Sequence, residues 1–176
     1  MKTLIPRRDF LRQTTAAAAL AAAGPALSLA QPAKKRAIKK AVMYATIGFK
    51  GSVLEKFKAL KEAGFEGVEP MSHMNREEVM RAFEETGLKA ASVCCNTHWD
   101  KPLSDPDPAV REAGLAGLKV ALQDAKQYGA TSVLLMPGVV KGTVTYDECW
   151  QRSIAEIRKA IPVAEELGVK IAIEDV

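Results

Sequence analysis

From Lys40 onward the chain repeats one unit: an apolar run, a cap signal, an amphipathic stretch, a glycine, and another apolar run. The glycines are Gly64, Gly87, Gly129 and Gly168, in Lys-Glu-Ala-Gly, Glu-Glu-Thr-Gly, Lys-Gln-Tyr-Gly and Glu-Glu-Leu-Gly. Each stands where a helix should end in a left-handed residue. Helix starts are marked by Ser52…Glu55, Asn75…Glu78 and Thr145…Glu148, a spacing that satisfies free N–H groups of the first turn. Asp107-Pro108 opens the third helix with proline at its first position. The helical period predicts buried faces at Val53, Phe57 and Leu60; Val79 and Phe83; Leu115, Leu118 and Leu122; and Ile154, Ile157 and Ile161. Pro162 should kink the fourth helix or end its regular part.

Between the helices lie short runs that are apolar at consecutive positions: Val42 to Ile47, Gly67 to Glu69, Ala90 to Cys95, Ser132 to Met136 and Ile171 to Ile173. Continuous apolarity predicts strands covered on both faces, as in a parallel sheet. The order is β-α-β-α-β-α-β-α-β, compatible with a doubly wound sheet or a β/α barrel. No G-x-G-x-x-G follows a strand, so the main mark of a dinucleotide fold is missing. The expectation is an α/β fold, the N-terminal part of a parallel TIM-type β/α barrel with five strands and four helices. A whole barrel takes eight units and about 250 residues, and this pattern stops after the fifth strand. A barrel interrupted there leaves an open strand edge and bare apolar faces. Such a chain should associate with a second copy or aggregate, and should lack activity by itself.

The first thirty residues read differently. Lys2, Arg7, Arg8 and Arg12 precede an uncharged, alanine-rich run from Thr14 to Ala30, and Ser28-Leu29-Ala30 offers small residues at the positions a signal peptidase reads. Residues 1–30 are therefore expected to be an export signal, residues 31–40 a basic linker, and residues 41–176 the partial barrel. The apolar run is a poor membrane span. Arg7-Arg8-Asp9-Phe10-Leu11 resembles a twin-arginine signal, with Pro6 departing from the usual Ser or Thr. A periplasmic or extracellular location follows as an expectation.

Setting the signal aside changes the charge. The full chain of 176 residues has a formal charge of +4, and residues 1–30 hold four basic and one acidic residue, leaving +1. Lys34, Lys35, Arg36, Lys39 and Lys40 carry +5 of that, so the body is close to −4. No nucleic-acid surface is indicated. Cys94, Cys95 and Cys149 form neither a disulfide framework nor a metal-binding spacing, and the adjacent Cys94 and Cys95 are expected to be small core residues.

In a β/α barrel the functional groups sit at the C-terminal ends of the strands. That rule selects Glu69 after strand two, His98 and Trp99 after strand three, Met136 after strand four and Glu174 after strand five. A carboxylate at the mouth end of an apolar strand is costly to desolvate without a cation or donors; a helix-capping or solvated role is the alternative for Glu69 and Glu174. His98 suits a polyol hydroxyl or a packed position, and His73 a solvated one.

Phe65-Glu66-Gly67-Val68-Glu69, the stretch from His98 to Leu122, Leu134-Leu135-Met136-Pro137-Gly138-Val139-Val140, and Ala164 to Glu174 together resemble the xylose-isomerase-like barrel superfamily. The similarity is to its sugar phosphate isomerase/epimerase branch, with hydroxypyruvate-isomerase-like and ketose 3-epimerase-like members. The resemblance implies a small ketose or related sugar as partner and a divalent metal, manganese or magnesium, held by Glu, Asp, His and Glu from strands five to eight. Only the first of these maps here, onto Glu174, which would be both metal ligand and proton-transferring base in a reaction through an enediolate. Glu69 and His98 would bind substrate hydroxyls. The same superfamily contains zinc-dependent apurinic endonucleases, which place a histidine before Pro-Gly after strand four; this chain has Met136 there. An exported, non-catalytic sugar-binding module is the remaining alternative.

Overall fold

A computed structural model describes residues 38–174; the expected signal, most of the linker, and Asp175 and Val176 lie outside the described residues. Six strand segments and four α-helices alternate: β1 (Ala41–Met43), α1 (Val53–Glu62), β2 (Gly67–Glu69), α2 (Arg76–Thr86), β3 (Lys89–Ala90), β4 (Val93–Cys94), α3 (Pro108–Tyr128), β5 (Ser132–Leu135), α4 (Tyr146–Leu167) and β6 (Lys170–Ile173). All ladder pairs are parallel, in two three-stranded sheets ordered β1-β2-β3 and β4-β5-β6.

The two sheets are joined. Met71 bridges Cys94 in parallel, the Cys94 N–H donates to the Pro70 carbonyl over 2.9 Å, and the Ser72 N–H donates to the Cys94 carbonyl over 2.8 Å. Thus β3 and β4 are two halves of one expected strand, broken at Ala91-Ser92. Each strand neighbours the next in sequence, the order of a barrel wall and not of a doubly wound sheet with a reversal. Among the described residues the wall does not close on itself.

The cap signals work as the sequence implies. Ser52 and Glu55, and Thr145 and Glu148, form reciprocal capping boxes, while Asn75 Oδ1 accepts from the Glu78 N–H without the reciprocal bond. Asp107 accepts from the Ala109 N–H, with Pro108 in the first turn. Gly87, at φ +67°, closes α2 through its N–H to the Phe83 carbonyl, a conformation costly for any residue with a Cβ. Phe57, Leu60, Val79, Phe83, Leu118 and Leu122 are buried around Val68, Val93 and Val133 in one core. Phe57 and Phe83 meet edge to face at 5.0 Å.

Three expectations need correction. The first strand ends at Met43, and Tyr44–Thr46 turns into a 3₁₀ segment, with Thr46 Oγ1 donating to the Met43 carbonyl. Helix α4 continues through Pro162 to Leu167, so of the two outcomes expected of the proline, a kink or an end to the regular part, the second does not occur. Its buried side is also not the isoleucine stripe: Cys149, Ser153, Glu156, Ala160 and Ala164 are buried, whereas Ile154 and Ile157 are half-buried and Ile161 is exposed. Small side chains let α4 lie close to α3, and Glu156 is admitted because Arg111 and Lys159 both pair with it. Coverage of the strands is likewise unequal. All three residues of β2 are buried, but β6 is mostly exposed, with Ile173 at 53 %. No helix among the described residues is long and apolar enough to cross a membrane.

Candidate active site

Strand ends β2, β4, β5 and β6 bring Glu69, His98, Met136 and Glu174 to one rim of the wall. Glu69 is buried at the end of β2, and Ser92, in the break between β3 and β4, donates a short hydrogen bond to its Oε1. The break therefore has a local consequence: it turns a hydroxyl onto a buried carboxylate that would otherwise lack a donor. Glu174 continues β6, its N–H donating to the Leu135 carbonyl over 3.0 Å, and is exposed.

Both carboxylates act on the thiol of Cys94 between them. Burial first, then the negative charges of Glu69, Cys95 and Glu174, push that thiol up to about 12. Cys94 and Cys95 are buried free thiols, as the sequence suggests, and Cys149 is buried as well. His98 is buried, and the Met136 N–H donates to its Nδ1 over 3.2 Å. Its pKa is held below the ordinary histidine value by burial, with the charge of Glu174 pulling the other way. His98 and Trp99 touch edge to face at 5.6 Å, and Trp99 is exposed.

The loop carrying His98 and Trp99 is seated on α3 by two glycines. A Cβ on Gly117 would lie 2.2 Å from Thr97 Oγ1, and one on Gly114 would lie 2.2 Å from the Lys101 carbonyl oxygen. Glycine inside a helix is unfavourable by roughly 1 kcal/mol against alanine, and close packing is the reason for it here. Gly138 does the same for the loop after β5, since its Cβ would meet Ser153 Oγ at 2.5 Å and Cys149 Sγ at 2.8 Å. Ser104 then ties the two loops together: the Val139 N–H donates to Ser104 Oγ over 2.8 Å, and that hydroxyl donates back to the Val139 carbonyl over 3.2 Å.

A second set of contacts orders the turn after β2. Asp124 on α3 is buried, pairs with Arg76 Nε and accepts from the His73 backbone N–H over 2.9 Å. His73 sits at φ +66°, and its Nδ1 is 2.9 Å from Ser72 Oγ. His73 is exposed, as expected, but its backbone is part of this latch.

Sequence reasoning selected Glu69, His98 and Glu174, and the structure gathers them along one rim. Ser92, Ser104 and Asp124 were missed, because serines and acids at loop and helix positions carry no periodic signal. Gly114 and Gly117 could have been found, since two glycines one turn apart inside a helix imply a close neighbour. Among the described residues, no group of three or more His, Cys, Asp and Glu side chains is placed to hold a metal ion. Glu174 is a single carboxylate donor, so the described residues do not by themselves fit a metal centre.

Residues 57–176 match the family model described as xylose isomerase-like TIM barrel. The L-ribulose-5-phosphate 3-epimerase UlaE of Escherichia coli (strain K12 / DH10B) is 28% identical over 134 residues, an alignment that covers 69% of this chain and 47% of that protein. The chain thus spans about half the length of the curated relatives it matches. Among solved structures, the 3-keto-D-glucoside 4-epimerase YcjR from E. coli superposes with a TM-score of 0.69 at 23% identity, covering 79% of this chain and 57% of that one. The IOLI protein with a binding zinc atom superposes at 0.62 and 16% identity, covering 77% and 51%. At these identities the superpositions establish the fold alone.

Proposed function

The chain belongs to the xylose isomerase-like TIM barrel family, and from that premise we propose that the protein is a sugar or sugar-phosphate isomerase/epimerase that works through an enediolate. The observation that carries the proposal is that the parallel strands β2, β4 and β6 place Glu69, His98 and Glu174 at or just beyond their C-terminal ends, along one edge of the wall. Sugar epimerases among the sequence relatives support the same reading.

In this reading the Glu174 carboxylate removes the proton from the carbon beside the substrate carbonyl. The C–H electron pair becomes the new C=C bond, and the carbonyl oxygen takes up the negative charge. A second acid, which would come from outside the described residues, then returns a proton: to the opposite face of the same carbon as the enediolate oxygen re-forms its carbonyl, or to the former carbonyl carbon as the adjacent hydroxyl gives up its proton and becomes the new carbonyl. His98 is suited to hold an oxygen of the substrate. With Nδ1 occupied by the Met136 N–H, the neutral ring carries its proton on Nε2 and donates from there. Glu69, fixed by Ser92, accepts from a substrate hydroxyl.

A divalent metal, manganese or magnesium, is part of the proposal for the whole protein; bound, it would polarise the carbonyl and stabilise the enediolate charge. Glu174 would be one donor, and the others would have to come from outside the described residues. Export through a twin-arginine signal is likewise proposed from Arg7-Arg8; changing both to lysine should retain the protein in the cytoplasm, and unchanged export would refute it.

The test of the reaction is solvent deuterium incorporation by NMR with candidate ketoses, using the complete protein. Glu174→Gln keeps the shape and removes the basic oxygen, so carbon-bound proton exchange should disappear. Glu69→Gln should raise KM while exchange at saturating sugar continues. Exchange in Glu174→Gln at the parent rate would leave Glu174 as a solvated acid and end its assignment as the base.

A further inference from the structure

Beside the rim, the loop after β4 and the loop after β5 enclose a cleft of about 520 Å³, within the range of small-molecule sites. Trp99, Asp100, Ser104, Asp105, Lys141 and Thr143 are among its lining residues. We propose that this cleft is a subsite for a second, unphosphorylated sugar ring, so that the substrate is a glycoside of the reacting sugar. The proposal rests on the isomerase/epimerase reading for the reacting ring and adds the group attached to it.

A sugar ring presents C–H groups on its faces and hydroxyls around its edge. It is best held by an aromatic surface together with planar acceptors and a few donors. The cleft has that combination: an exposed tryptophan, two carboxylates, an ammonium and a threonine hydroxyl. Among the described residues, neither Asp100 nor Lys141 has a side-chain partner in the protein, so both are available to hydroxyls.

Among the lining residues the carboxylates of Asp100 and Asp105 outnumber the one ammonium, Lys141, while the Arg111 and Arg152 guanidiniums are engaged on the carbonyls of Asp105, Pro106 and Ser104, so no cluster of free cations suited to a phosphate lines the cleft.

Ser104 clamps Val139 through both backbone groups. Arg111 Nη1 donates to the carbonyls of Asp105 and Pro106 at 2.7 and 3.0 Å, so the walls are fixed before a ligand arrives. Trp99 directly follows His98 and touches its ring, so the subsite borders the group assigned to the reacting sugar.

The experiment is calorimetric titration of the complete protein with cellobiose, maltose, D-fructose, a pentulose 5-phosphate and inorganic phosphate. A disaccharide should bind more tightly than D-fructose or either phosphate. Trp99→Ala should weaken that binding at least about tenfold, and Trp99→Phe, which keeps an aromatic face, should stay within about threefold of the parent. Trp99 is exposed, so both variants should fold, and circular dichroism verifies it. Glu174→Gln separates the two readings, because it should lose proton exchange while the disaccharide binding that remains still depends on Trp99. If exchange persists in that variant while disaccharide binding still depends on Trp99, the base assignment falls and the subsite stands. Absence of disaccharide binding, binding indifferent to Trp99→Ala, or preferred phosphate binding that Lys141→Met removes would each overturn the subsite.

Discussion

The backbone N–H of Met136, just past the end of β5, donates to Nδ1 of His98 in the neighbouring loop over 3.2 Å. One hydrogen bond thereby sets the tautomer of a buried imidazole and joins two strand ends that are distant in sequence. It also makes the position of Met136 matter more than its side chain, because the backbone does the work.

Burial holds the His98 pKa below its ordinary value, against the opposing charge of Glu174. The folded state therefore binds this proton less readily than the unfolded chain. Its contribution to stability should be fully present above the unfolded value of about 6.5 and decline as pH falls toward the folded pKa. Denaturant titrations of the parent and His98→Gln at pH 7.5 and 5.5 should show the gap between them shrinking at the lower pH. A gap that is constant or widens on acidification would contradict this.

Gly117→Ala should destabilise the protein by about 1–3 kcal/mol, as overpacking usually does, because the added methyl meets Thr97. Thr97→Gly in the same chain should recover part of the loss by removing the obstructing side chain. Gly114→Ala meets the backbone oxygen of Lys101, and no side-chain truncation should rescue it. Equal rescue of both would mean that the loop simply moves.

Asp124→Ala leaves Arg76 and the His73 N–H without their shared acceptor. Removing one partner of a fully buried pair costs several kcal/mol. Arg76 is half exposed and can turn to water, so about 1–3 kcal/mol is expected here. Thermal unfolding should register the loss, and hydrogen exchange should show the turn at Ser72-His73 opening first. A variant as stable as the parent would rule out the latch.

Cys94 is buried with a thiol pushed up to about 12, and burial raises Cys95 as well. The thiolate is the reactive form, so neither should react with iodoacetamide at pH 8 until the protein is denatured. Rapid labelling of Cys94 in the native protein would show that the space between Glu69 and Glu174 is open to reagent.

The sequence by itself determined the alternation of elements, the capping boxes at Ser52 and Thr145 and the glycine helix ends, and with them the placement of Glu69, His98 and Glu174 at or just beyond strand ends. These features are local, since each is written by residues within a turn or a strand of one another. What only the tertiary structure decided depends on contacts across the chain. Ser92 reaches Glu69 because β3 and β4 break between Ala90 and Val93. Small residues on α4 face inward because α3 lies close, which reverses the expectation drawn from its isoleucines. The loop of His98 and Trp99 rests on α3 because Gly114 and Gly117 leave it room. Periodicity records which residues are apolar, but the partner's shape and the satisfaction of buried polar groups decide which side of a helix is buried and which carboxylate finds a donor.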